Sequence, residues 1–557
     1  MTQRGIAALA AAWWLAAMGA LAAPSPGLVR TTSGLVRGHG EQGTQAFLGL
    51  PFAAPPVGAL RWRAPAAPAS WRGARQASAF APACAQADLG WQSNIAATSS
   101  EDCLYLNVWV PPHRSGERLP VIVFFHGGAY HGGGSRGLSL IEPSYDGARL
   151  AARGAVVVTA TYRLGLLGFL AHPELSEESA QGVSGNYALL DAIAALGWVR
   201  RNIGAFGGDP ARVTLFGQSA GSTTVADLMT TPRAAGLFSR AVMTSGSALD
   251  IGLGRPSLAQ AEANGAQFAK ALGAPASEAI VALRARPAAD LFKAMMADPA
   301  IHRAEPRGAV VDAVLFPRQP ALVFLSGGEA RVPLIVGTTA RDGDTDSMGV
   351  AGTPKALAAL ADARRPLAAS RHPAPINPAA SAGVAAFYAS QPDLAARAAR
   401  LYAQPGAVRG EDGDVAVAFS TDTIFRCGGN LTAALHAALA PTWRYEFSHG
   451  YEPLGAVHLW DTEYVFGWLQ PPADQPRDRR LARQLQDYLV AFARTGDPNG
   501  AGRPFWPRAR GGAWLDFASG GAMARRGLRA EACGLYEAKV RRETLAAQRP
   551  ENADHPN

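Results

Sequence analysis

One serine between two glycines, in Gly217-Gln218-Ser219-Ala220-Gly221, constrains the fold of this chain more than any other feature. The motif directly follows the short apolar segment Val213–Phe216, which is typical of a buried strand, and small residues that predict the start of a helix follow the serine. A strand that turns sharply into a helix needs glycine two residues on either side of the turn, because side chains there would hold strand and helix apart. The pattern therefore predicts a nucleophile elbow that exposes the Ser219 hydroxyl, with a tight structural turn as the alternative.

Further apolar segments predict the sheet to which this turn belongs. They are Leu119–Phe125, Gly154–Thr161, Ala241–Thr244, Val332–Val336 and Trp443–Phe447. Helical patterns alternate with them, most clearly over Asn186–Ile203. This alternation predicts an α/β fold with a large, mostly parallel central sheet covered by helices on both faces. Two Ala-rich segments, about 257–299 and 352–405, look like helical insertions that either cap the site or lie passively on the surface.

The N-terminal residues resemble an export signal. Arg4 supplies a positive charge, Ile6–Met18 is apolar but too short to span a membrane, and Ala20-Leu21-Ala22 fits a cleavage site. We therefore expect a signal peptide over 1–22 and a single domain over 23–557, periplasmic or secreted, with no transmembrane anchor after cleavage. Export would permit disulfides. Four cysteines, Cys84, Cys103, Cys427 and Cys533, allow three complete pairings, and local order favours Cys84–Cys103 with Cys427–Cys533.

Composition and motifs also indicate what kinds of ligand to expect. The net charge is +8, but the arginines are scattered rather than grouped, which argues against a nucleic-acid partner. The sequence contains no CxxC, no HExxH and no GxxxxGK[ST] motif, so we expect neither a metal nor another cofactor.

A second glycine motif, His126-Gly127-Gly128-Ala129-Tyr130, directly follows the predicted strand 119–125. Glycine at this point lets backbone N–H groups face a substrate oxygen without obstruction. We expect the N–H groups of Gly128, Ala129 and Ala220 to form an oxyanion hole. His126 itself is expected to be a packed structural histidine.

Several longer motifs resemble one known family. Ser100–Val108 (SEDCLYLNV) is similar to a signature of the type-B carboxylesterase and cholinesterase family. Further similar motifs are Tyr162–Gly165, Gly168–Leu170, Gly185–Tyr187 and Phe206–Pro210. The resemblance covers nearly all of the expected mature chain. It implies an α/β-hydrolase fold and hydrolysis of a small-molecule carboxylic ester through an acyl-enzyme intermediate.

The resemblance also implies the partners of Ser219. The acid is implied to be Asp342, in Gly337–Gly343, with Asp344 as the rival, and the base His458, in Gly455–Gly467, with His449 as the rival. Ser245 aligns with a serine that steadies the acid in relatives, and the family has a disulfide in positions similar to Cys427 and Cys533. The chain order Ser, acid, His is the order expected of this fold.

Departures from the family pattern limit what the resemblance implies about substrate. Asp342 stands where the family usually has Glu, and Gln218 stands where many members have Glu, which removes a negative charge beside the nucleophile. Trp91 either lines the pocket mouth or simply packs in the loop between Cys84 and Cys103. A short-chain or aryl esterase is favoured. A lipase or an aromatic-ester (feruloyl-type) esterase remains the alternative, and a non-catalytic binding protein is the alternative of another class.

Overall fold

An eleven-stranded mixed sheet forms the centre of the computed structural model. The structure describes residues 27–137, 145–249, 255–344, 365–366 and 378–547, apart from 405, 407, 453 and 470–472. The predicted signal segment 1–22 and most of 352–377 lie outside these residues. The strands are β1 Leu28–Arg30, β2 Leu35–Arg37, β3 His39–Glu41, β4 Thr44–Pro51, β5 Ala74–Gln76, β6 Tyr105–Val110, β7 Leu119–Phe125, β8 Val156–Ala160, β9 Gly208–Gln218, β10 Arg240–Thr244, β11 Leu334–Thr339, β12 Arg365–Pro366, β13 Thr442–Phe447, β14 Tyr451–Glu452, β15 Ala513–Ala518 and β16 Gly521–Arg526.

The strands of the large sheet run in the order β16-β15-β13-β11-β10-β9-β7-β8-β6-β4-β3. Every neighbouring pair from β15 to β8 is parallel, and the pairs at the two ends of the sheet are antiparallel. The predicted mostly parallel sheet is therefore confirmed. Small sheets are formed by β1, β2 and β5, and by β12 and β14.

Helices cover both faces of the sheet. They are α1 Ser93–Ala96, α2 Ala148–Ala151, α3 Gly165–Phe169, α4 Pro173–Glu177, α5 Tyr187–Asn202, α6 Ala220–Thr230, α7 Leu258–Ala271, α8 Ala279–Arg284, α9 Ala288–Ala297, α10 Pro299–Arg303, α11 Pro320–Leu325, α12 Pro378–Phe387, α13 Pro392–Ala403, α14 Val415–Thr421, α15 Cys427–His436, α16 Trp460–Phe466, α17 Pro476–Thr495 and α18 Ala530–Ala547. A π-helical turn, Asp422–Arg426, joins α14 to α15. No helix in the described ranges combines the length and the apolar composition needed to cross a membrane.

Strand β7 shows why the central strands are continuously apolar. Successive side chains of a strand point to opposite faces, and both faces of this sheet are covered. Val121, Val123 and Phe125 belong to the core on one face, whereas Ile122 and Phe124 belong to the core on the other. Every residue of β7 is consequently buried.

Two disulfides join distant parts of the chain. Cys84–Cys103 closes a loop of sequence separation 19, and Cys427–Cys533 joins α15 to α18 across a separation of 106. Helices α7, α8 and α9 occupy the segment expected to form the first insertion. Of the second expected insertion, the structure describes α12 and α13 and the short strand β12.

Candidate active site

Ser219 lies at the turn between β9, which ends at Gln218, and α6, which begins at Ala220. Its backbone has φ 56° and ψ −126°, a strained conformation for a residue with a side chain. The Ser219 N–H donates to the carbonyl oxygen of Thr244 at 2.9 Å, which ties the turn to the end of β10. The predicted sharp strand-to-helix turn is therefore present, with its serine only partly buried.

The two glycines of the motif lie where the backbones approach most closely. A Cβ added at Gly217 would lie 2.1 Å from the carbonyl oxygen of Gly221. One added at Gly221 would lie 2.0 Å from the carbonyl oxygen of Phe125. Any side chain at either position would push α6 away from the strands, so the chain requires glycine at both.

A carboxylate and an imidazole form a buried pair beside this turn. Nδ1 of His458 lies 2.7 Å from Oδ1 of Asp342, and both side chains are almost completely buried. The other carboxylate oxygen, Oδ2, accepts from the Ser245 hydroxyl at 2.8 Å and from the Thr339 N–H at 3.0 Å. The structure thus brings together three of the predicted site residues, at the carboxyl ends of adjacent parallel strands.

The rival residues lie outside this pair. His449 contacts Asp478 through Nε2 and Ser519 through Nδ1, in a separate hydrogen-bonded cluster. Asp344 donates its backbone N–H to the carbonyl oxygen of Arg341, and it is Asp342 that contacts the imidazole of His458.

Two side chains contact the rest of the His458 ring. Nε2 of Gln218 lies 3.1 Å from Nε2 of His458, and the Phe425 ring stacks on the imidazole at a centroid distance of 4.7 Å. Phe425 lies in the π-helical turn, an irregularity that often marks functional sites. Sequence reasoning missed Phe425, because a single π turn within a helical pattern leaves no periodic signal.

The glycine motif after β7 folds over the same turn. A Cβ at Gly127 would lie 2.8 Å from the Cβ of Ser219. Gly128 and Ala129 both have positive φ angles, 101° and 54°, and within the described residues their N–H groups donate to no acceptor. Ala220 is the first residue of α6, where helical N–H groups have no partner within the helix. Unpaired backbone donors therefore flank the serine.

His126 and Trp91 support this glycine-rich loop. His126 is buried and stacks on Tyr162 at a centroid distance of 4.5 Å, as expected of a structural histidine. Burial lowers its pKa to about 4, so the ring is neutral. The Trp91 ring would approach a Cβ at Gly132 to 3.1 Å, so this tryptophan packs against the segment that follows the motif.

A buried acid lies behind the carboxylate–imidazole pair. Burial, together with the negative charge of Asp342, raises the pKa of Asp461 to about 6. The Tyr445 hydroxyl donates to Asp461 Oδ2 at 2.6 Å. Across the described part of the chain, no group of three or more His, Cys, Asp and Glu side chains is placed to hold a metal ion.

Comparisons with known proteins give one consistent result. The model of the Carboxylesterase family matches residues 25–535. Fumonisin B1 esterase of Sphingopyxis macrogoltabida is 37% identical over 548 residues, which cover 93% of this chain and 92% of that protein. Para-nitrobenzyl esterase of Bacillus subtilis is 33% identical and matches over 85% of this chain and 90% of its own length. A solved PNB esterase structure covers 92% of this chain, with a TM-score of 0.72 and 31% identity.

A mostly parallel sheet between two layers of helices, with a serine at a strained strand-to-helix turn, defines an α/β-hydrolase. With a family match over nearly the whole length, the chain belongs to the carboxylesterase family. It is a carboxylic ester hydrolase, as the resemblance implied.

Proposed function

We propose that Ser219, His458 and Asp342 form the catalytic triad of this esterase. The observation that carries the proposal is the 2.7 Å contact between Nδ1 of His458 and Asp342, next to the strained turn that presents Ser219. A carboxylate at Nδ1 fixes the tautomer in which Nε2 has a free lone pair, and it stabilises the imidazolium that forms later. This arrangement supports general-base activation of the serine hydroxyl.

The reaction proceeds through an acyl-enzyme. His458 Nε2 takes the hydroxyl proton while Ser219 Oγ attacks the ester carbonyl carbon, giving a tetrahedral intermediate. The imidazolium then gives the proton to the leaving alcohol as its C–O bond breaks. Water, deprotonated by the same imidazole, attacks the acyl-enzyme. As the acyl C–O bond breaks, the imidazolium returns the proton to Ser219 Oγ, which releases the acid and the free enzyme.

We propose that the N–H groups of Gly128, Ala129 and Ala220 stabilise the oxyanion. The support is that the N–H groups of Gly128 and Ala129 have no acceptor among the described residues, and that Ala220 lies at the N-terminus of α6. One such donor typically contributes about 3 kcal/mol of transition-state stabilisation. Ser245 is proposed to hold Asp342 in place through its 2.8 Å hydrogen bond.

The substrate is proposed to be a small-molecule ester with a short acyl or aryl group. The similar protein from Bacillus subtilis is named for a para-nitrobenzyl ester, whose aromatic ring is on the alcohol side, and this supports an ester with an aromatic group. A series of p-nitrophenyl esters from acetate to palmitate, with aromatic acyl esters beside it, tests this. A maximum at the longest chains would contradict it and favour a lipase.

Covalent labelling tests the triad. A fluorophosphonate probe should label the wild-type protein at Ser219 and leave the folded Ser219→Ala variant unlabelled. Ser239→Ala is the matched control, since Ser239 lies directly before β10 and its hydroxyl donates to the Val213 carbonyl oxygen. Equal labelling of wild type and Ser219→Ala would overturn the proposal.

We also propose that the protein is exported and that residues 23–557 form one catalytic domain. The signal-like segment 1–22 and the two disulfides support export, since disulfides persist in oxidising compartments. One family match over 25–535 supports a single domain. N-terminal sequencing of the protein from periplasmic and culture fractions tests the cleavage site. An uncleaved N-terminus in the cytoplasmic fraction alone would contradict export.

A further inference from the structure

Gln218 contacts the atom of His458 on which the proposed chemistry depends. Its side chain is completely buried at the end of β9, and its Nε2 lies 3.1 Å from Nε2 of His458. On the other side, its Oε1 packs against Gly127, where a Cβ would lie 2.5 Å away. The amide therefore fills the space between the imidazole and the glycine-rich loop.

The proton on the imidazole decides which atom donates in this contact. Nδ1 faces the Asp342 carboxylate, so in the neutral ring Nδ1 carries the hydrogen and Nε2 carries the lone pair. The Gln218 amide N–H then donates to Nε2. Among the described residues, the Ser219 hydroxyl has no hydrogen-bond partner, so the lone pair needed by the serine is held by Gln218.

We infer that Gln218 is a positioning residue, which holds Nε2 of neutral His458 in the resting enzyme and releases it to the Ser219 hydroxyl when the ester binds. The inference rests on the proposed triad and adds a step to it. No covalent bond changes in this step; one hydrogen bond to Nε2, from the amide, is replaced by another, from the serine.

The lack of charge on the Gln218 side chain should affect how the activity depends on pH. Among the described residues, Asp342 contacts His458 directly, and Asp461, on α16, interacts with it electrostatically. Phe425, on the π-helical turn, is apolar, and Gln218 is neutral. A carboxylate at 218 would add a third acid and favour the imidazolium, which cannot accept the serine proton. A neutral amide at 218 avoids this added charge.

Measuring the pH profile of kcat/KM tests this consequence. We expect the acid limb of Gln218→Glu to move to higher pH by about one unit or more, as for a charge within a few ångströms of a titrating group. Gln486→Glu is the control, because Gln486 is also buried but, among the described residues, its amide donates to the carbonyl oxygens of Tyr464 and Val465 instead of to His458. Coincident acid limbs in wild type and Gln218→Glu, or an equal shift in Gln486→Glu, would overturn the inference.

A direct measurement covers the case in which Gln218→Glu does not fold. In ¹⁵N-histidine-labelled protein near pH 8, the Nε2 resonance of His458 should be unchanged by Ser219→Ala and should move toward a free lone pair in Gln218→Met. A shift of this resonance in Ser219→Ala, with no shift in Gln218→Met, would overturn the inference. Wild-type protein that is not labelled by fluorophosphonate would instead refute the triad itself, so the two failures are distinguishable.

Discussion

The Ser245 hydroxyl donates a 2.8 Å hydrogen bond to Oδ2 of Asp342, while Oδ1 of the same carboxylate contacts His458 at 2.7 Å. Ser245 follows β10 and Asp342 follows β11, two adjacent parallel strands. Both oxygens of the carboxylate are therefore held from different directions. The orientation of the imidazole depends on a carboxylate whose own position is fixed by the sheet.

Removing the Ser245 hydroxyl should reduce kcat with little effect on KM. A hydrogen bond to a charged group contributes about 1.5–3 kcal/mol, so Ser245→Ala should lower kcat by roughly 10- to 100-fold. The Thr339 N–H lies 3.0 Å from Oδ2 of Asp342 and keeps the carboxylate partly oriented in the variant. The loss of kcat should therefore be nearer to 10-fold than to 100-fold. Steady-state kinetics on p-nitrophenyl acetate, with Ser239→Ala as control, would show this. An unchanged kcat would assign Ser245 to packing alone.

Asp342→Asn should have a much larger effect. An amide donates to Nδ1 where a carboxylate accepts, so it favours the wrong imidazole tautomer, and a loss of about 10⁴-fold in kcat is expected. Asp344→Asn is the matched control, since Asp344 lies two residues further on, outside the carboxylate–imidazole pair. Comparable losses in both variants would place the acid elsewhere.

Much of this site follows from residue order. The strand-to-helix position of Gly217–Gly221 and the glycines after β7 determine a local geometry that small residues alone permit. The partners Asp342 and His458, 116 residues apart, could be selected only through the family resemblance. No local sequence pattern indicates which loops meet at a sheet edge. The contacts of Phe425 and Gln218 with His458 could therefore be identified only from the three-dimensional structure.

His126 should make stability depend on pH. Burial lowers its pKa to about 4, whereas histidine in an unfolded chain has a pKa of ~6.5. As the pH falls from ~6.5 to 4, the unfolded chain binds a proton that the folded protein does not, so stability is lost over this window, by up to about 3 kcal/mol. Urea denaturation of the wild type and of His126→Gln, each at pH 7.5 and pH 4.5, measures the stability that each protein loses between the two pH values. The variant should lose less stability over the same pH range, and parallel losses would contradict the prediction.

The two disulfides should differ in their contributions to stability. In the chain-entropy model, closing a longer loop restricts the unfolded chain more, which gives about 3 kcal/mol for Cys84–Cys103 and about 5 kcal/mol for Cys427–Cys533. The paired alanine variants should therefore rank in that order in urea denaturation. A larger loss of stability in the variant without Cys84 and Cys103 than in the variant without Cys427 and Cys533 would contradict the prediction. It would show that native packing of the short loop dominates.

A fully buried arginine stabilises the region behind the proposed triad. Arg426 is 0% exposed and bonds to Asp412, Asp422 and Glu446, and its Nη2 donates to the carbonyl oxygen of Ala340, two residues before Asp342. Burial alone would raise the pKa of Asp412, but the positive charges of Arg426 and Arg409 hold it below its ordinary value.

Replacing this arginine would leave buried carboxylates without their central cation. Breaking a buried ion pair typically costs about 3–5 kcal/mol, so Arg426→Met should lower the free energy of unfolding by at least that amount. The exposed pair Arg541–Glu537 provides the control, since Arg541→Met should change stability by less than about 1 kcal/mol. Because Arg426 holds the strand end that leads to Asp342, kcat should also fall in whatever folded fraction survives. Equal stabilities of the two variants in urea denaturation would mean that the surrounding carboxylates are neutral in the folded protein.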